Sequence, residues 1–91
     1  MLFQTNYTLV GDRSLGRAKE LMALFAQRGN SPGEIAHYIR VDGSGGTVIS
    51  ENSDIAELHD QAMAYGPYME FEILPIRTAE ESIPDLLKHY G

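Results

Sequence analysis

Apolar and polar side chains alternate over residues 2–10, with Phe3, Tyr7 and Leu9 on one side and Gln4, Asn6 and Thr8 on the other. A period of two in β-forming residues predicts a half-buried strand. Gly11-Asp12 breaks it, with Asp12 placed to cap the next element. Over residues 13–28 the period changes. Leu15, Ala18, Leu21, Met22 and Phe25 recur every three or four positions, one stripe of a helix, and Gly29 stands where a left-handed terminator belongs. Gly16 interrupts this helix at a cost of about 1 kcal/mol against Ala, which close packing on a sheet would explain.

After the turn cluster Asn30-Ser31-Pro32-Gly33, residues 34–41 alternate again, Ile35, His37, Ile39 and Val41 against Ala36, Tyr38 and Arg40. Asp42-Gly43-Ser44-Gly45-Gly46 reads as a hairpin loop leading into a strand at 47–51. Asp54 and Glu57 have capping-box spacing before a second helical stripe of Ile55, Leu58, Ala62 and Met63, which Gly66-Pro67 stops. Residues 69–76 form a fourth strand, whose Pro75 points to a sheet edge. Ser82-Ile83-Pro84 resembles the start of a short tail helix that packs Ile83, Leu86 and Leu87.

Strand, helix, strand, strand, helix, strand is the α+β, ferredoxin-like βαββαβ order. Right-handed crossovers then predict a four-stranded antiparallel sheet of order 4-1-3-2, both helices on one face, as a single domain over residues 1–91 with a C-terminal tail helix. Phe3, Tyr7, Leu9, Ile35, Ile39, Ile49, Phe71 and Ile73 are expected under the helices. Gln4, Asn6, Thr8, Tyr38, Arg40, Val48, Ser50, Glu70, Glu72 and Leu74 are expected on the face left uncovered. That mixture of polar and apolar suits packing against a second sheet around a polar-lined space, so a homodimer formed through the uncovered face is expected.

Composition narrows the partners. A formal charge of −6 opposes polyanion binding, and the third strand, Thr47-Val48-Ile49-Ser50, carries no aromatic on which a base would stack. Nucleic acid is therefore not expected. No apolar run is long enough for a membrane span and no signal-peptide pattern opens the chain. The absence of cysteine excludes disulfides and thiolate chemistry. Together these give the expectation of a soluble, cytoplasmic protein.

The runs Met1-Leu2-Phe3, Tyr7-Thr8, Asp42-Gly43-Ser44-Gly45-Gly46 with Glu51, and Phe71-Glu72-Ile73-Leu74-Pro75-Ile76 resemble the DUF3303 family, small proteins of unknown function related to the dimeric α/β barrels. The resemblance spans nearly the whole chain and rests on turn and strand pieces. It implies a dimeric barrel. The family's Arg-Trp-His before the glycine-rich loop is replaced here by His37-Tyr38-Ile39-Arg40-Val41, and the chain has no Trp. Haem-degrading and quinol-oxidising relatives carry a polar residue on the first strand, which Asn6 echoes.

Candidate chemistry is sparse. The glycine-rich loop joins two strands and no Lys follows it, so the phosphate-loop pattern fails. His37 sits on an apolar face, where a core or rim role is the ordinary one. A catalytic role needs a carboxylate or substrate within hydrogen-bond reach. His59 and His89 have no partner at metal spacing, so no metal site and no cofactor are expected. Asn6, Tyr38, Arg40 and Glu72 share the uncovered face. In a dimer they would converge on a small anionic or aromatic molecule with Arg40 as charge anchor, unless Arg40 is spent on a cross-strand pair with Glu70 or Glu72 at the dimer seam. Tyr65, Tyr68 and Tyr90 with Met63 and Met69 gather near the second helix's end, where packing is their ordinary work. A ligand-binding or accessory module is the leading expectation, and a monooxygenase- or isomerase-like enzyme the alternative.

Overall fold

The computed structural model describes residues 1–91. Its elements are β1 (Leu2–Leu9), α1 (Leu15–Arg28), β2 (Glu34–Ile39), β3 (Gly45–Glu51), α2 (Ile55–Tyr65), β4 (Met69–Ile76) and α3 (Ala79–Tyr90). All strand pairs are antiparallel and the order is β2-β3-β1-β4, the expected arrangement with Pro75 on an edge strand. No helix is long and apolar enough to cross a membrane.

Directly paired residues share a face, so the register assigns the two sides. Phe3 opposes Ser50 and Pro75, Thr5 opposes Val48 and Ile73, and Tyr7 opposes Gly46 and Phe71. Phe25 of α1 and Leu58, Ala62 and Tyr65 of α2 lie over this side, which is the helix-covered face. Its dry centre is small: Phe3, Val48, Leu58, Tyr65 and Met69. Arg28 joins the two helices through Asp60 (2.8 Å) and Gln61 (3.2 Å).

Five residues depart from the side or the burial expected of them. Val48 and Ser50 are buried beneath the helices, while Ile49 lies on the other face. Two adjacent β-branched apolar residues leave the parity of this strand undecided, and pairing with Phe3 and Tyr7 of β1 decides it. Ile35 is exposed because a bulge between Glu34 and Ala36 removes it from the ladder, and the same bulge turns Glu34 inward. Ile39 keeps the covered parity opposite Gly46, but at the end of an edge strand it meets solvent.

The helix ends also differ in detail. Ser14, not Asp12, caps α1 by accepting from Arg17 N–H, and Asp12 accepts from Ser14 N–H instead. Gly29 ends α1 at φ 71°, as expected. Asp54 caps α2 through Ala56 N–H, whereas the Glu57 carboxylate accepts from buried Asn52. A Cβ at Gly16 would meet nothing within 4 Å, so close packing is not its reason.

The tail helix departs most. It begins at Ala79 because Thr78 caps it, accepting from Glu81 N–H and donating to the Glu81 carboxylate, and Pro84 falls inside. Ile83, Leu86, Leu87 and Tyr90 remain about half exposed or more, contrary to their expected packing. The molecule measures 54 × 27 × 17 Å with a radius of gyration of 15.7 Å, against about 12 Å for a compact chain of this length.

Candidate functional sites on the two faces of the sheet

On the uncovered face the centre is Asn6. Its Oδ1 accepts from Thr47 Oγ1 (2.8 Å) and Gln4 Nε2 (3.1 Å), and its Nδ2 donates to Glu72 Oε1 (3.0 Å). One side chain thus links β3, β1 and β4, and both the oxygen and the nitrogen of the Asn6 amide have partners. Glu72 uses one oxygen here and makes no ion pair. Tyr38, opposite Thr47, is largely exposed.

Arg40 stands at the far edge, where it donates to Thr8 Oγ1 (3.1 Å) and Ser44 Oγ (3.3 Å). With strands about 4.8 Å apart, β2 and β4 lie about 14 Å from each other. The expected Arg40 pair with Glu70 or Glu72 therefore does not form within one chain. Of the four predicted residues, the structure joins Asn6 to Glu72 and leaves Tyr38 and Arg40 together on the opposite half of the face.

The hairpin loop beside Arg40 is self-satisfied. Gly43 N–H donates to Arg40 O, Ser44 N–H donates to Asp42 Oδ1, and only Gly43 has positive φ, 73°. The hydrogen bond from Ser44 N–H, with Arg13 and Arg40 nearby, holds the Asp42 carboxyl below the ordinary range. Those amides are spent, so the loop offers no phosphate cradle.

Beneath the helices lies a second cluster. The Tyr7 hydroxyl is 2.6 Å from His37 Nε2, and Glu34 Oε1 is 3.6 Å from His37 Nδ1. The phenol and Nε2 share one hydrogen bond, and the imidazole tautomer sets which of them donates, with the Glu34 carboxylate beside the other ring nitrogen. Phe25 stacks on the imidazole with centroids 6.1 Å apart at 11°, and Tyr7 meets it edge-on at 5.7 Å. Burial pushes the Tyr7 phenol above its ordinary value, with Arg40 opposing and Glu34 adding to the shift.

Tyr7 and His37 are on β1 and β2, with β3 between them. The phenol crosses that strand directly over Gly46, where a Cβ would sit 2.5 Å from the hydroxyl and 2.7 Å from the ring. Gly46 is thus a strand residue kept bare for a crossing side chain. Next to the cluster, Ser50 Oγ and Tyr65 OH are buried without a hydrogen-bond partner in the protein. They line a gap of about 40 Å³ among Thr5, Val48, Leu58 and Phe71, enough for two or three waters.

The family model DUF3303, a domain of unknown function, matches residues 1–90. The chain belongs to the DUF3303 family. None of the curated proteins matches it.

In this DUF3303 chain the Tyr7–His37–Glu34 cluster is the site that sequence reading missed as a unit. His37 and Tyr7 were both assignable to the covered face by alternation. Their meeting across an intervening strand depends on Gly46, and the approach of Glu34 depends on a bulge that periodicity does not register. Nowhere does the structure assemble three His, Asp, Glu or Cys side chains as a metal-binding group.

Proposed function

We propose that this DUF3303 chain is a homodimeric binding module of the dimeric α/β-barrel type, with two uncovered sheets facing each other around a small anionic or aromatic molecule. The observation that carries this reading is the Asn6 network, in which Gln4, Thr47 and Glu72 fix one amide at the centre of an otherwise uncovered face. Arg40 supplies the positive anchor at the rim and Tyr38 a stacking surface. In a two-fold dimer the Arg40 of one copy is carried toward the β4 half of the other, which brings together the halves that one chain keeps apart. A cysteine-free chain fits a reducing compartment, and we place the module in the cytoplasm.

The test is a thermal-shift screen of haem, quinones and aromatic acids on the full chain, followed by titration of any hit. Saturable binding that Arg40→Ala abolishes while the dimer mass persists supports the reading. A screen without a hit, or a hit indifferent to both Arg40→Ala and Asn6→Ala, overturns it.

One observation favours a second reading, an enzyme acting beneath the helices. The 2.6 Å contact between Tyr7 and His37, with Glu34 behind the imidazole, is the arrangement of an oriented general base and a proton donor. A substrate would have to part the helices from the sheet, because the gap is water-sized while ligand sites occupy about 300–1,000 Å³. Turnover abolished by His37→Gln with the fold intact would favour this reading over the first.

A further inference from the structure

We infer that α3 is a dimerisation arm whose apolar stripe packs on the uncovered sheet face of a second copy of this chain. The inference rests on the face-to-face dimer proposed above and adds what closes it. Ile83, Leu86, Leu87 and Tyr90 fall at i, i+3, i+4 and i+7, one continuous stripe. All four are about half exposed or more. A stripe of that kind on a 12-residue helix is not stable in water by propensity alone, because isolated helices of about 12–15 residues are marginal.

Its own chain does not cover it. Only Arg77 and Thr78 separate β4 from α3, and both bond to the first turns of the helix itself. Arg77 pairs with Asp85 at 2.8 Å and donates to Glu81 O at 3.1 Å, while Thr78 caps the first turn. An eight-residue strand spans about 27 Å and a 12-residue helix about 18 Å. Their combined length is most of the 54 Å long axis. With all four stripe residues about half exposed or more, the helix does not lay its apolar side back on the sheet.

The surface left exposed matches a second copy in area and charge. The chain exposes 6357 Å², about 1,000 Å² more than a compact monomer of its mass. A standard interface takes about 800 Å² from each partner. The uncovered face supplies apolar Ile49 and Leu74 for the stripe. Glu70 and Glu72 on the same face pair with no cation of their own chain, and α3 ends in Lys88 and His89, likewise unpaired. Acidic Glu80, Glu81 and Asp85 make an anionic membrane surface the wrong partner. Two copies related by a two-fold axis exchange two arms and leave none over, so the assembly closes.

The experiment is sedimentation velocity on the full chain across a concentration series. The wild type should run at twice its 10.1 kDa, and Ile83→Glu/Leu86→Glu should weaken association at least about tenfold while far-UV circular dichroism keeps its helical signal. If that pair loses helix, Leu87→Gln/Tyr90→Ser is measured in the same way. Dissociation by Ile49→Lys alone, with dimers of both α3 variants as tight as wild type, overturns the arm and leaves the face-to-face dimer standing. A wild-type monomer at all concentrations overturns both. A photo-crosslinker at position 87 should join α3 to the β3 or β4 peptide of an isotopically distinct copy, and crosslinks confined to one copy overturn the arm.

Discussion

Each face of the sheet carries a polar cluster, one spanning β1, β2 and β3 and the other β1, β3 and β4, and the two clusters are held by different forces. Beneath the helices, Tyr7 reaches across β3 to His37, a path left open only by the bare Cα of Gly46. On the uncovered face, Asn6 binds its neighbours from β1, β3 and β4 through hydrogen bonds alone, in contact with water. Steric exclusion fixes the first cluster and polar satisfaction fixes the second. Errors in the first should therefore cost folding, while changes in the second should cost binding and little else.

Gly46→Ala tests that contrast most severely. The new Cβ would collide with the Tyr7 hydroxyl and ring and with the Tyr38 carbonyl on either side. Overpacking of this kind costs about 2–3 kcal/mol, to be read from urea denaturation midpoints. A variant as stable as wild type would mean that Tyr7 does not cross β3, and the distinction between the faces would collapse.

Tyr7→Phe is milder. It removes the hydroxyl but keeps the ring against His37, so the loss is that of one half-buried hydrogen bond, about 0.5–1.5 kcal/mol. The pH dependence has a defined sign. Burial raises the Tyr7 and Tyr65 phenols above the ordinary tyrosine range, with Arg28 opposing the shift at Tyr65. The folded chain then holds these protons more tightly than the unfolded one. Their contribution is complete at neutral pH and is lost as pH rises past about 10 toward the folded-state values. Denaturation midpoints measured from neutral to alkaline pH should fall at the top of the range, less steeply in Tyr7→Phe.

What the sequence disclosed divides along the same line. Periods of two and near four located the elements, because each is written locally in which side chains must be hidden, and the handedness of the crossovers then gave the sheet order. Phe3, Tyr7, Phe71 and Ile73 were assignable to the covered face for that reason, and Asn6 and Glu72 to the other. Val48 and Ile49 were not, since neighbouring apolar residues carry no parity and the partner strand supplies it. Glu34 became part of a site through a bulge. The tail helix shows a different limit. Its stripe was legible, but the surface that the stripe meets is not written in a local period, and the stripe stays exposed on its own chain.

Asn6→Ala sharpens the comparison from the uncovered side. It should release Glu72 and Thr47 at a cost of about 1 kcal/mol in the monomer, since one of these bonds is exposed and the other only part-buried. Measured at low and high protein concentration, the same substitution separates two situations. A cost that grows with concentration marks the face as buried by self-association, and a constant small cost marks it as solvated.

Gly16→Ala probes how tightly the covered face is covered. No residue of α1 is fully buried, and a Cβ at position 16 would enter open space. Ala there relieves part of the helix-propensity penalty of Gly without creating a clash, so the variant should be more stable by about 0.5 kcal/mol, the low end of the scale because the site lies in the first turn. Paired thermal melts of wild type and variant suffice to read the sign. A gain means that α1 lies over the sheet through its inner stripe alone, with its first turn free. A loss would mean that this turn is pressed against another surface, and the covered face would then be thicker, and its cluster better shielded, than the contrast with the open face requires.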